Sequence, residues 1–237
     1  MRVFVFNILE EPSFFEKIFK PKKIIDLKKE ALNYQHDFLE KVVPGKFPDY
    51  YSIRVKVGSV LRILLSQSKK GGYEFMIIDR SEGIDGLGRY ETDKIISRSE
   101  CPVLTIDKDH YCDKINTIVI PVDISQSTKK KLLWATYFAK KYNAKIKIVS
   151  VLSMNISTKK SLAWRNAEKL KLMLHDRGVD CEVDILKAQG REKHKVILDY
   201  IEKENAGMVI IRTHQESNLS GTQIGKFVSE IVHGCKV

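Results

Sequence analysis

The sequence predicts an α/β protein made of two tandem, open, mainly parallel sheets with helices on both faces. Three observations carry this. Short β-branched runs alternate along the chain with amphipathic stretches of helical length, the pattern of βαβ units. The pattern restarts after a polar, unpatterned stretch at residues 107–116 (DKDHYCDKIN). Residues 63–78, ILLSQSKKGGYEFMII, align without a gap onto residues 196–211, VILDYIEKENAGMVII, at an offset of 133. Self-similarity at such a distance marks repeated modules.

Val3 to Leu9 (VFVFNIL) reads as a strand, being aromatic, β-branched and too short for a buried helix. Pro21 opens a helix on which Ile24, Leu27, Ala31, Phe38 and Val42 share one face, and Pro44-Gly45 ends it. Tyr51, Ile53, Val55 and Val57 alternate with polar residues as a second strand. A short helix at Val60–Ser68, a buried strand at Phe75–Ile78, a helix near Tyr90–Arg98 and a strand at Pro102–Ile106 complete the first module. The second module opens with a strand at Thr117–Val122. The helix at Ser125–Tyr142 follows, with Leu132, Leu133, Ala135, Thr136 and Ala139 inward. Ile146–Leu152 is a strand, Ser157–Arg177 a helix stopped by Gly178, and Cys181, Val183 and Ile185 a strand. A helix at Lys193–Asn205, a strand at Met208–Ile211, a polar loop at Arg212–Thr222 and a helix at about Gln223–Val232 finish the chain.

The expected organisation is a first domain at residues 1–107, a linker at 108–116 and a second domain at 117–237. The two are offset in extent. The strand and helix at Thr117–Tyr142 have no counterpart in the first domain, and Pro102–Ile106 has none in the second. The first domain thus lacks its first strand and helix, the second lacks its last strand, and the chain reads as truncated at both ends. A rearranged fold in which the halves share strands is the alternative.

Composition narrows the class. The chain has 237 residues, 43% of them hydrophobic, which excludes a disordered or collagen-like protein. It has no apolar run of membrane-spanning length, and its N-terminus lacks the small-residue cleavage site of a signal peptide, so no membrane partner is expected. Four scattered cysteines without zinc-ligand spacing read as reduced thiols in a cytoplasmic protein, with no metal. The net charge of +11 is uneven: residues 1–110 hold 19 Lys+Arg against 17 Asp+Glu, and residues 111–237 hold 22 against 13. The basic excess fits a solvated helix surface or a small anionic ligand. Nucleic acid is not expected, because interleaved aromatics and a helix-turn-helix pattern are absent.

INTIVIPVDISQSTKKKLLWATYFAKKYNAKIKIVSVL resembles the opening of a universal stress protein domain, in which a strand ends in Pro-x-Asp-x-Ser before an Ala-rich helix. AGMVIIRTHQESNL and GKFVSEIV resemble that family's fourth strand, loop and last helix, and ISRSECPVLTI its closing helix end and fifth strand. The resemblance covers the chain in two copies. It implies a flavodoxin-like (adenine nucleotide alpha hydrolase-like) sheet whose ligand, ATP or AMP in many members, binds at the carboxyl ends of the strands.

The resemblance also locates a nucleotide site. Its phosphate motif, Gly-x-x-Gly, nine residues, then Gly and Ser or Thr, falls on Arg212, Gln215, Gly225 and Lys226, so only Gly225 is kept. In the first domain the same places hold Asp79, Glu82, Arg89 and Tyr90, and the two acids repel phosphate. The adenine side is better kept: Pro121 and Val122 precede Asp123, which stands where the family accepts from the adenine amino group, and Val151 matches the residue whose backbone meets the base. Each has a structural reading too, Asp123 as a helix N-cap and Val151 as a strand residue. Arg212 and Lys226 either bind phosphate by charge or fill the loop. The expected outcome is a degenerate nucleotide-binding site and a non-enzymatic protein acting in stress response by binding; an ATP- or anion-binding switch in the second domain is the alternative.

Other residues point to no chemistry. His214 lacks a nucleophile motif around it. Trp134 and Trp164 read as core or interface residues. Asp180, Glu182 and Asp184, near Asp176 and His175, alternate as the polar face of an edge strand rather than a metal site. In the family the closing strand often pairs across a dimer, so the edge of Pro102–Ile106 implies self-association.

Overall fold

The computed structural model describes residues 2–10, 21–43, 45, 49–70, 72–80, 87–107, 110, 112, 114–122, 129–152, 162–213 and 224–237. By contact the chain divides into two compact units, Met1–Tyr73 and Glu74–Val237.

The first unit holds β1 (Val3–Leu9), α1 (Pro21–Val42), β2 (Tyr51–Val57) and α2 (Val60–Lys69). The strands pair in parallel, Val3 opposite Tyr51 through Leu9 opposite Val57. Phe4 and Phe6 meet Tyr73 edge to face, and the Arg54 guanidinium lies 4.2 Å over the Phe4 ring, a cation–π contact that seals this end of the sheet. The apolar face expected of α1 is only partly covered. Leu39 is buried and Ile24 and Ala31 half-buried, but Leu27, Phe38 and Val42 are exposed. The two-stranded sheet beneath the helix is narrower than its apolar arc.

The second unit holds β3 (Met76–Asp79), α3 (Arg89–Arg98), β4 (Val103–Ile106), β5 (Thr117–Pro121), α4 (Lys129–Tyr142), β6 (Lys145–Leu152), α5 (Leu162–His175), β7 (Cys181–Lys187), α6 (Lys193–Lys203), β8 (Met208–Val209) and α7 (Lys226–Gly234). The expected starts of α4 at Ser125 and of α5 at Ser157 lie outside the described residues. β3 and β4 form a parallel pair, and the main sheet is parallel throughout in the order β7-β6-β5-β8. Among the described residues β3 and β4 pair only with each other and do not join the four-stranded sheet.

The period-2 alternation of β5 and β6 divides the core. Ile118, Ile120, Ile146 and Ile148 point to one face, against Ala135 and Ala139 of α4 and Ala167, Leu170 and Leu174 of α5. Val119, Val149 and Val151 point to the other, against Ile197, Tyr200 and Ile201 of α6 and Ile231 of α7. Each such side chain contributes about 1.5–3 kcal/mol by leaving water. The alanines let α4 and α5 approach the strands closely. Leu133, expected inward, is 69% exposed. It stands two positions from Ala135, roughly 200° around a helix of 3.6 residues per turn, so burying one exposes the other. Trp134 is half-buried, stacked on Phe138 and edge-on to Phe75, which matches a packing role.

The contact boundary at Tyr73 differs from the expected boundary at residues 107–117. β3, α3 and β4 cohere with the second unit through polar contacts. Ser229 donates to Asp93 Oδ2 at 2.8 Å, His233 Nε2 lies 2.9 Å from Asp93 Oδ1, and buried Arg80 donates to the Cys235 carbonyl while lying 3.6 Å from Asp107. The segment expected to link the domains also packs within this unit: Gly207 lies so close that an added Cβ would sit 2.9 Å from Ile115 Cα. A partition by repeated sequence and a partition by contact are therefore different objects in this chain.

Burial agrees at the positions that the 133-residue offset aligns. Buried Leu64, Gln67 and Ser68 of α2 stand 133 positions before buried Ile197, Tyr200 and Ile201 of α6. Element order agrees as well: β1-α1-β2-α2-β3-α3 runs as β6-α5-β7-α6-β8-α7 does.

Candidate functional site

β5 lies at the centre of the main sheet, with β6 on one side and β8 on the other. Connections leave in opposite directions around it, and such a switch point opens a crevice beyond the carboxyl ends of the strands. The cavity there is lined by Pro121 and Val122 at the end of β5, Val149, Ser150 and Val151 of β6, Lys193 and Ile197 of α6, and Phe227 of α7. Its volume is about 30 Å³. That holds one or two water molecules, an order of magnitude below the several hundred Å³ of pockets that bury a small-molecule ligand.

Three of the expected site residues, Pro121, Val122 and Val151, meet on this wall. Val122 is buried, and its N–H donates to the Val149 carbonyl at 2.9 Å, so the end of β5 is held in the sheet. Asp123 lies outside the described residues, as do Gln215 and His214. Arg212 is half-buried, follows β8, and is not among the residues lining the cavity.

Gly225 caps α7 with extended dihedrals (φ −65°, ψ 146°) and no side-chain cap. Its carbonyl accepts from Ser229 N–H at 3.0 Å, which leaves the first-turn amides of α7 at the helix's positive end. Lys226, the first residue of that helix, donates to Glu192 Oε1 at 3.1 Å. Glu192 is the N-cap residue of α6 and also faces Lys195 at 3.2 Å and His194 at 3.6 Å. The hydrogen bond from Lys226, then that from Lys195, holds the Glu192 carboxyl below the usual carboxylate range. Glu192 and Lys226 stand next in sequence to Lys193 and Phe227 of the cavity lining, and the cation of the one is taken up by the carboxylate of the other.

Sequence reasoning missed Lys193, Ile197, Phe227 and Glu192. A usable signal existed: in a doubly wound sheet the first residues of helices that follow a strand face the crevice. Arg89 donates to Glu230 at 2.8 Å and to Ser229 at 3.2 Å. The acidic edge strand is as expected: β7 ends the sheet, and Glu182 pairs with Lys145 and, at 3.1 Å, with Lys147. Asp184 accepts from the Tyr200 hydroxyl, and burial raises that phenol's pKa. Among the described residues no group of His, Cys, Asp and Glu is placed to hold a metal, and no helix is long and apolar enough to cross a membrane.

The universal stress protein family matches residues 114–237, the stretch that builds the four-stranded sheet and its crevice. The chain belongs to the universal stress protein family. Solved universal stress proteins share the fold well beyond the matched half. One from Archaeoglobus fulgidus DSM 4304 is 14% identical and superposes with a TM-score of 0.72 over 98% of this chain and 81% of its own. A further one, described as putative, from Pseudomonas aeruginosa UCBPP-PA14, is 16% identical, with a TM-score of 0.59 over 98% of this chain and 90% of its own. No curated protein sequence matches. At these identities the solved neighbours speak for the fold of this universal stress protein and not for its ligand.

Proposed function

We propose that this chain is a tandem universal stress protein, with domains at residues 1–107 and 117–237 joined by 108–116, that acts in stress response by binding rather than by catalysis. In this reading the nucleotide site of the second domain is degenerate. The observation that carries it is the Lys226–Glu192 ion pair, whose members are next in sequence to Phe227 and Lys193 of the cavity lining. The paired carboxylate opposes a phosphate chain. Calorimetric titration with ATP and with AMP tests this. The expected result is no saturation below millimolar ligand. Micromolar saturation that is lost in Asp123→Ala overturns the degenerate reading.

The second reading is a switch that takes a small anion at the same place. It is favoured by Lys193 on the cavity wall, by Gly225 at the start of α7 and by the basic excess of residues 111–237. Titration with inorganic phosphate separates it from the first reading: saturation by phosphate without saturation by ATP supports the anion switch. Self-association belongs to the same proposal. Among the described residues β4 pairs only with β3, and its other edge suits a second copy. Sedimentation velocity then shows a concentration-dependent dimer that Thr105→Pro abolishes, and a monomer at all concentrations removes that part.

A further inference from the structure

On a surface helix the arc turned away from the core is ordinarily charged or polar. α4 departs from that pattern. Ala135 and Ala139 are buried against the sheet. Leu133 and Tyr137 each stand two residues from one of them, roughly 200° around the helix. The outermost ridge of α4 is therefore a leucine and a tyrosine, 69% and 47% exposed. Cations flank it. Lys140 and Lys141 follow Tyr137 at three and four residues, one turn along the same face, and both are exposed. The sequence of α4, KKKLLWATYFAKKY, holds five lysines and no acid.

α5 adds a second ridge of similar composition. It covers the same face of the sheet as α4, since Ala167, Leu170 and Leu174 share one buried cluster with Ala135 and Ala139. Its outward arc carries Arg165, Lys169 and Leu172 at spacings of four and three, all exposed. Leu172 is 61% exposed. Asp176, just past the end of α5, is an exposed acid on this arc, and Glu168 is half-buried. Elsewhere in this unit lysines are paired, Lys147 with Glu182 and Glu204 and Lys226 with Glu192. Lys140, Lys141, Arg165 and Lys169 make no ion pair among the described residues.

Unpaired cations around an exposed apolar ridge match a partner that is anionic at its surface and apolar just beneath. An anionic lipid layer is such a partner. Leucine and tyrosine enter the headgroup boundary, while long lysine and arginine side chains keep their charges at the headgroups. Binding of this kind needs an amphipathic face and not a spanning run, so it suits a chain whose described helices are too short or polar to cross a membrane. A second copy of the chain is not the chosen occupant, because the same cations would face one another.

We propose that the outer face of the α4–α5 layer, over residues 133–142 and 164–175, is a docking surface for an anionic lipid membrane. Leu133, Tyr137 and Leu172 enter the headgroup layer, and the four cations meet its negative charge. The basic excess of residues 111–237 supplies the longer-range attraction, which salt screens. The inference is independent of whether the crevice takes a nucleotide.

The test is sedimentation of the full chain with vesicles of phosphatidylcholine and phosphatidylserine, against vesicles of phosphatidylcholine alone. The expected result is binding to the anionic vesicles only, falling as salt rises. Lys140→Glu with Lys141→Glu weakens it by at least about tenfold. Leu133→Ser with Tyr137→Ser keeps every charge and weakens it by at least about fivefold. Lys28→Glu with Lys29→Glu, an exposed pair on α1, changes the net charge equally and leaves binding within about twofold. Far-UV circular dichroism is unchanged in each variant. Equal binding to neutral vesicles, binding to neither, or an equal loss in the α1 variant overturns the proposal. Undiminished binding by Leu133→Ser with Tyr137→Ser also overturns it, since charge alone then accounts for the attraction. Capture by duplex DNA without capture by vesicles overturns it as well and assigns the face to a different polyanion.

Discussion

Lys226 Nζ lies 3.1 Å from Glu192 Oε1, tying the first turn of α7 to the residue that caps α6. Two helix N-termini are thereby bridged by a cation and an anion that satisfy one another. In the proposed reading, the charge of Lys226 available to a phosphate is already engaged.

Removing the carboxylate should restore some of that charge. Glu192→Gln is expected to strengthen inorganic phosphate binding by no more than about fivefold, the scale of an exposed ion pair. Calorimetry at low ionic strength reads it. The double variant Glu192→Gln with Lys226→Ala should lose the gain. Weaker binding in Glu192→Gln alone would show that the carboxylate is not what limits the site.

Acid stability should report on the edge strand. Hydrogen bonds from Lys145 and then Lys147 hold the Glu182 carboxyl below its ordinary range. A carboxylate lowered in the folded state stabilises fully above its unfolded value, and that stabilisation fades as pH falls through the lower folded value. The urea midpoint of Glu182→Gln should therefore fall below that of the parent between about pH 5 and 7 and converge with it near pH 2.5. A gap that widens on acidification contradicts the assignment.

Burial separates two apolar residues on adjoining elements. Ile148→Ala removes a fully buried side chain from the core between β6 and helices α4 and α5 and should cost about 2–5 kcal/mol in denaturant unfolding. Leu133→Ala, on the exposed side of α4, should change stability by no more than about 0.5 kcal/mol.

Thiol chemistry should be confined to one position. Cys112 is exposed, whereas Cys101, Cys181 and Cys235 are buried. Burial pushes the Cys181 thiol up to about 12 and also raises that of Cys235. Iodoacetamide at pH 8 is expected to label Cys112 alone in the folded chain and all four cysteines in urea, read by intact mass. Labelling of Cys181 without denaturant would contradict its placement beside Leu174 and Val179 in the sheet core.

Much of this was legible in the residues. The runs VFVFNIL, TIVIPV and KIKIVSVL are strands because β-branched chains of that length suit little else. The 133-residue offset anticipated that α2 and α6 bury the same positions. Pro121, Val122 and Val151 are singled out by the family resemblance, and they line one cavity.

What the chain could not announce is what depends on distance between elements far apart in sequence. Glu192 and Lys226 are 34 positions apart, and nothing in either neighbourhood signals the other. The capacity of the crevice depends on how deeply Phe227 and Ile197 pack against β6, which periodicity does not encode. Leu133 looked like a core residue because it is apolar, but it and Ala135 stand on opposite sides of α4, and packing on the sheet buried Ala135. Local pattern determined which elements form and which face each one buries. Tertiary packing decided which charges meet and how much space is left, because those are set by contacts between elements and not by the order of residues within them.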